Sequence, residues 1–327
     1  MGRRHGLKPI LPAALSLLLL AGSAGADGGW QVGAPVLSPG SVGAFDETAV
    51  KDPSVVFFEG RWHVFYTARG QGEYATGYVS APTLEGLSDA PRHELKQVRG
   101  RSSHYACAPQ VFFFAPQGRW YLVYQTRDAN YQPVYSTTKT IEKPESWSAP
   151  EILVQKDEEA KWIDFWVICD ATTAYCFYTR SHRDVYGRTT SLEAFPHGWS
   201  EGKPAFAGVH EAVHIYKAKG LDEYHMIYEL NERGVRSFGL ARASHLAGPW
   251  EKATDAYATG TQLSCEPGAA RWTDMVSHGE MIRSGYNQRL EYDPEAPVML
   301  IQGRLNDAVG TPYPNLPWKL GLMTRER

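Results

Sequence analysis

Neither sign of charge dominates this chain. Its 33 Lys and Arg stand against 36 Asp and Glu over 327 residues, a formal net charge of −3. That balance excludes a nucleic-acid partner, which needs clustered cations to meet the phosphates. Cysteine is scarce: Cys107, Cys169, Cys176 and Cys265 sit in no C-x-x-C or His–Cys spacing, so no zinc site is spelled out. Four cysteines allow three disulfide connectivities, among which the sequence does not choose. One of them would join Cys169 to Cys176 across the turn Asp170-Ala171-Thr172-Thr173-Ala174. Absent too are a G-x-S-x-G elbow, a phosphate-binding P-loop and an H-E-x-x-H helix. Gly70-Gln71-Gly72-Glu73-Tyr74-Ala75 has the outline of a dinucleotide loop, but no amphipathic helix follows and it reads as an ordinary turn. Helical periodicity is nearly missing, with Asp157 to Trp162 the one short stretch that could wind.

Only one long apolar run occurs, and it lies at the start. Arg3, Arg4 and Lys8 precede an apolar stretch centred on Leu17-Leu18-Leu19-Leu20, and Ala24-Gly25-Ala26 follows as a small-x-small cleavage pattern. This is the layout of a signal peptide over residues 1–26, with Asp27 as the mature start. The run is too short for the ~20 residues that span a bilayer. The mature chain is therefore expected to be exported to the periplasm or the medium, with no membrane partner, and to act as a monomer.

Aromatic residues, by contrast, are plentiful: 10 Trp, 18 Tyr and 12 Phe. Many fall in a repeat of hairpins. Val55 to Tyr66, Val111 to Tyr124, Val167 to Tyr178 and Val213 to Tyr228 each read as an apolar run, a tight turn and a second β-branched or aromatic run. A weaker fifth copy joins Met281-Ile282 to Val298-Met299-Leu300-Ile301. Trp147, Trp199 and Trp250, each beside Gly, Ser or Pro, punctuate the outer ends of three units. Several short strands per unit of ~40 to 60 residues form the pattern of a β-propeller, and residues 27–327 accommodate five blades. A two-sheet sandwich is the competing all-β fold, but it gives no reason for what opens each repeat.

The repeats open at Asp52, Ala108, Asp164, Glu211 and His278, separated by 56, 56, 47 and 67 residues. Blades place equivalent positions around one axis, so three carboxylates and an imidazole would converge. Singly, Asp52 before Pro53 is an ordinary turn former, and His278 an ordinary hydrogen-bonded core histidine. As a set, carboxylates on innermost strands are expensive to bury without a task.

The residues around these positions resemble glycoside hydrolase family 62, the exported α-L-arabinofuranosidases. The resemblance rests on Lys51-Asp52-Pro53, Trp162 to Asp170, Glu211-Ala212 with Ile215-Tyr216-Lys217, Trp272-Thr273-Asp274 with Ser277 to Arg283, and Leu316 to Gly321. It implies a five-bladed propeller that removes arabinose side chains from arabinoxylan or arabinose-substituted oligosaccharides with inversion, needing no cofactor for the chemistry. It also implies Asp52 as general base, Glu211 as general acid and Asp164 as the carboxylate that raises the pKa of Glu211. His278 would anchor a structural Ca²⁺, and Lys51, Arg236, Gln288 and Tyr313 would touch substrate.

Two positions depart from the family pattern: Gln125-Thr126 where Gln-Trp is common, and Tyr313-Pro314 where Tyr-Asn is common. Both fall where the polymer backbone is expected to lie. The alternatives are an arabinanase or β-xylosidase of family 43 type, and a sugar-binding propeller without turnover.

Overall fold

The structure is a computed structural model that describes residues 29–101, 104–128, 131–308 and 310–325; the leader expected over residues 1–26 lies outside the described residues. It is a five-bladed β-propeller. Blade I contains Ala49–Phe58, Arg61–Gly70, Glu73–Ala81 and Arg92–Glu94, and blade II contains Ala106–Phe114, Arg119–Thr126, Gln132–Thr138 and Glu151–Ile152. Blade III runs through Trp162–Cys169, Thr173–Arg180, Asp184–Ser191 and Lys203–Ala207. Blade IV runs through Glu211–Ala218, Tyr224–Glu232, Val235–Ala243 and Glu251–Ala258. Blade V orders Ser277–Met281, Val298–Gly303 and Lys319–Arg325 outward, then takes Trp30–Leu37 from the other end of the chain and Leu263–Cys265 at its rim. Pairing the first strand with the last joins the ring without leaving a seam.

The repeat is exact at a level the sequence does not display. Each innermost strand breaks register near its start, between Lys51 and Ser54, Cys107 and Gln110, Ile163 and Trp166, Glu211 and His214, and Ser277 and Gly279. At each bulge one non-glycine residue has positive φ: Asp52 (47°), Ala108 (52°), Asp164 (57°), Ala212 (52°) and His278 (23°). Such backbone is costly for a side chain and persists only where its surroundings enforce it.

The enforcement is visible two residues further on, where each innermost strand is tied to a neighbour. Ser54 Oγ accepts from Val111 N (2.9 Å), and Gln110 both donates to Val167 O (2.8 Å) and accepts from Val167 N (2.7 Å). Trp166 Nε1 donates to Ile215 O (2.8 Å), His214 Nδ1 to Gly279 O (2.8 Å), and Glu280 Oε2 accepts from Val55 N (3.0 Å). These side chains satisfy buried backbone groups that no strand pairing reaches. Gly77 and Gly239 serve blades I and IV alike. A Cβ on either would lie 2.3 Å from the ring of Tyr66 or Tyr228, so the absent side chain makes room for the aromatic.

Below the bulges the channel is plugged. Arg283 Nη2 donates to Val55 O (2.7 Å) and Val111 O (2.9 Å), and the chain after it crosses the floor, accepting from Phe113 N at Tyr286 O and from Cys169 N at Gln288 O. Two local expectations fail. Residues 157–161 carry no helix; Asp157 and Glu158 instead turn to Arg188 (2.8 Å) and Arg180 (2.7 Å), and Trp162 begins a strand. No disulfide joins Cys169 to Cys176, because the hairpin register sets Cys176 opposite Val167 and Cys169 opposite Ala174. Among the described residues no helix is long and apolar enough to cross a membrane.

Candidate active site

Above the plug, on the bulge side of the ring, opens a cavity of about 390 Å³ lined by Lys51, Asp52, Asp164, Glu211, Arg236, His278 and Tyr313, among others. Seven of the eight residues singled out from the sequence therefore meet in one place. Gln288 does not. It lies on the far face, where its Oε1 accepts from Ala115 N (3.2 Å) just past the end of an inner strand, so it supports the floor and cannot touch a ligand in the cavity.

The bulges also correct the alignment of the repeats. Asp52, Asp164 and His278 occupy the positive-φ position, but its equivalent in blade IV is Ala212, and Glu211 stands one residue earlier, in the place held by Lys51 in blade I. Because a bulge sets two consecutive residues against one partner, both turn toward the axis and the slip leaves Glu211 inside the cavity.

Each bulge amide is held from the preceding blade. Gln302 Oε1 accepts from Asp52 N (2.7 Å), Thr67 Oγ1 from Ala108 N (2.8 Å), Gln125 Oε1 from Asp164 N (3.0 Å) and Glu229 Oε2 from His278 N (2.9 Å). Blade IV keeps the rule with a different acceptor: Ala212 N donates to the carboxylate of Asp164, on the innermost strand of blade III, and not to a second-strand side chain (2.9 Å). Asp164 is thereby fixed against the strand that carries Glu211. Gln125 is committed to holding Asp164, and Thr126 is fully buried, so no polymer platform exists at that pair.

The electrostatics differ from expectation in one respect. Burial, with help from the charges of Glu211 and Asp52, raises the pKa of Asp164 against the pull of His278. Glu211 goes the other way. Burial pushes it up, but His182 (Nδ1 3.2 Å from Oε2), Arg236 (Nη1 2.7 Å from Oε1) and His210 together hold its carboxyl well below the usual carboxylate range. The two carboxyls are thus pushed apart in the unliganded site, Asp164 toward the protonated form and Glu211 toward the ionised one. Behind Glu211, in register with it across the hairpin, sits Glu229, whose carboxyl contacts the same Arg236 and accepts from Ser277 Oγ (2.5 Å). Burial carries its pKa up to about 7 despite Arg236. Lys51 stays charged although buried, held by Asp52 (3.5 Å) and by donation to Tyr313 (3.0 Å).

Sequence reasoning passed over Glu229, His182 and three tyrosines that line the cavity, Tyr74, Tyr105 and Tyr131. Glu229 was legible in principle, since it pairs with Glu211 in the hairpin; His182 lies in a turn whose position only the fold supplies. His182, His210 and Glu211 place three donor atoms within 4.8 Å of one another. Arg236 and Lys161, 3.0 Å from His182 Nε2, already supply positive charge there, which opposes a cation. The calcium expected at His278 fares no better. His278 Nδ1 lies 3.5 Å from Asp52 Oδ1 and its ring meets His214 edge to face, but among the described residues no third Asp, Glu, His or Cys donor joins them. One imidazole and one carboxylate supply only part of the oxygen-rich shell that Ca²⁺ takes, so backbone carbonyls or waters would have to complete it.

Comparison with known proteins agrees with this geometry. Residues 38–324 match glycosyl hydrolase family 62. Over 303 residues the chain is 32% identical to α-L-arabinofuranosidase C of Cellvibrio japonicus, covering 90% of this chain and 46% of that protein, so it spans about half of the relative's length. The catalytic domain of a family 62 α-L-arabinofuranosidase from Coprinopsis cinerea superposes with a TM-score of 0.83 at 34% identity, over 92% of this chain and 98% of that one. A family 62 hydrolase solved with xylotriose superposes with a TM-score of 0.82 at 29% identity, again over 92% and 98%.

Proposed function

The chain belongs to glycosyl hydrolase family 62, and from that premise we propose that it is an exported, monomeric α-L-arabinofuranosidase that removes arabinofuranosyl side chains from xylan with inversion. The observation that carries the proposal is the convergence of Asp52, Asp164 and Glu211, from three different blades, on one polar cavity. The curated relative bears the name of that activity, and a solved relative holds a xylose oligomer.

Asp52 and Glu211 belong to blades I and IV, which are not neighbours in the ring. Inversion needs the two carboxyls ~6.5 to 9.5 Å apart, because a water must fit between the base and the anomeric carbon, and non-adjacent blades can supply such a gap. Asp52 takes a proton from that water as its oxygen bonds to C1. The C1–O bond to the xylan breaks in the same event, and Glu211 gives its proton to the departing oxygen. Asp164, its pKa raised by burial and its carboxylate accepting from Ala212 N beside Glu211, orients the acid. A carboxyl gripped by Arg236 and His182 is a poor donor, so sugar binding has to loosen that grip before Glu211 acts as an acid.

Product analysis tests the reading. Arabinose should be released from wheat-type arabinoxylan and not from linear arabinan, and NMR of the first-formed sugar should show the anomer opposite to the substrate's. Release from arabinan instead would favour the family 43 alternative, and a retained anomer would remove Asp52 from the role of base. Export rests on the leader-like pattern of residues 1–26. N-terminal sequencing of protein recovered outside the cytoplasm should begin at Asp27; an intact Met1 would refute it.

A further inference from the structure

The cavity mouth carries more positive charge than the hydrolysis uses. Four cations line it, in a chain whose net charge is −3: Lys51, Arg127, Lys161 and Arg236. Two are neutralised, Lys51 by Asp52 and Arg236 by Glu211 and Glu229. Arg127 and Lys161 are not; among the described residues neither has a carboxylate within ion-pair distance, and Arg127 is exposed. The nearby Asp128 is turned aside, accepting from Arg101 N (3.0 Å) and Thr126 Oγ1 (3.2 Å).

Both cations lie over tyrosines that also line the mouth. The Arg127 guanidinium is 4.9 Å from the centre of the Tyr105 ring, and Lys161 Nζ is 4.9 Å from that of Tyr131. The two rings meet edge to face at 5.6 Å. Lys161 spends one of its three protons on His182 Nε2 (3.0 Å) and keeps two. The result is one continuous rim, on the side of blades II and III, that offers aromatic faces to sugar rings and two unspent cationic donors to an anion. A neutral glycan would leave those donors to water. A sugar bearing a carboxylate would engage them, with a guanidinium fork suited to bidentate contact.

We propose that Arg127 and Lys161 form a subsite for a uronic acid, so that the enzyme prefers arabinofuranosyl groups on xylan that also carries acidic side chains near the scissile bond. This rests on the function proposed above and adds to it the charge class of the substrate.

The test compares arabinose release from a xylo-oligosaccharide bearing both an arabinofuranosyl and a glucuronosyl group with release from the same compound after reduction of its carboxyl group to the alcohol. At low ionic strength kcat/KM should favour the acidic compound by at least about tenfold, the value of a charged hydrogen bond. The ratio should shrink as salt is raised, since exposed charges are screened. Arg127→Gln combined with Lys161→Gln should bring the ratio close to one; being a ratio, it is insensitive to a general loss of activity. A wild-type ratio near one, or a ratio that survives the double substitution, overturns the subsite and leaves the hydrolase intact. No release from either compound overturns the proposed function itself, and the subsite with it.

Discussion

Glu211→Ala should abolish most turnover of arabinoxylan while sparing much of the activity on an aryl arabinofuranoside with an acidic phenol. The xylan alcohol cannot leave without a proton, whereas a phenolate of low pKa departs unaided. Removing an acid or base typically costs ~10² to 10⁴ in rate, so the gap between the two substrates should be of that order. Asp52→Ala should lose a comparable factor on both, because the attacking water needs its base whatever leaves. Steady-state kinetics of both variants on both substrates decides the matter. Equal losses across all four combinations would undo the assignment of roles.

The role of Glu211 also fixes the sense of the pH profile. Glu211 must be protonated to act, and in the free enzyme its pKa lies well below the ordinary carboxylate value, chiefly through His182 and Arg236 working against burial. On xylan, kcat/KM should therefore decline as pH rises, with the limb starting on the acid side. On the activated aryl substrate that limb should be absent.

How much of this could be read from residues alone varied with the kind of contact involved. The hairpins of blades I to IV were legible because paired β-branched and aromatic runs around tight turns need no tertiary information. So was the convergence of Asp52, Asp164 and His278, since a propeller converts equal spacing into a common direction. Glu211 was assigned to the equivalent position one residue early. The error was harmless only because a bulge points two consecutive side chains inward, and bulges have no sequence signature outside glycine. Gln288 was placed by likeness alone, and no local pattern reveals that the chain after Arg283 runs beneath the ring. Nor does sequence announce that Glu211 shares Arg236 with Glu229. That contact depends on strand register together with burial, and with the His182 contact it turned the expected rise in the acid's pKa into a fall.

The shared guanidinium makes Arg236→Met the most revealing single change for stability. Arg236 is buried, bridging Glu211 at 2.7 Å and the fully buried Glu229. Methionine fills similar volume but leaves Glu229 with no counter-charge, facing a Glu211 that keeps only His182 and His210. Breaking a buried pair by removing one partner costs ~3 to 5 kcal/mol, here a fall in Tm on the order of 10 °C near neutral pH. The loss should depend on pH in a defined direction. Without Arg236 the folded-state pKa of Glu229, already raised by burial, climbs further above its unfolded value, and that of Glu211 rises from its depressed position against the remaining pull of His182 and His210. The contribution of Glu229 to stability is then fully present below the unfolded pKa, ~4.3, and is lost as pH rises through the raised folded value. The deficit relative to wild type should thus be small near pH 4 and grow toward pH 8, which thermal melts across that range would display. The catalytic limb should move with it: a Glu211 released from Arg236 titrates higher, so activity on xylan should persist to higher pH in the variant, at lower absolute rate. A deficit independent of pH would mean that Arg236 acts through packing alone. An unmoved limb would mean that His182 and His210, not Arg236, govern the acid.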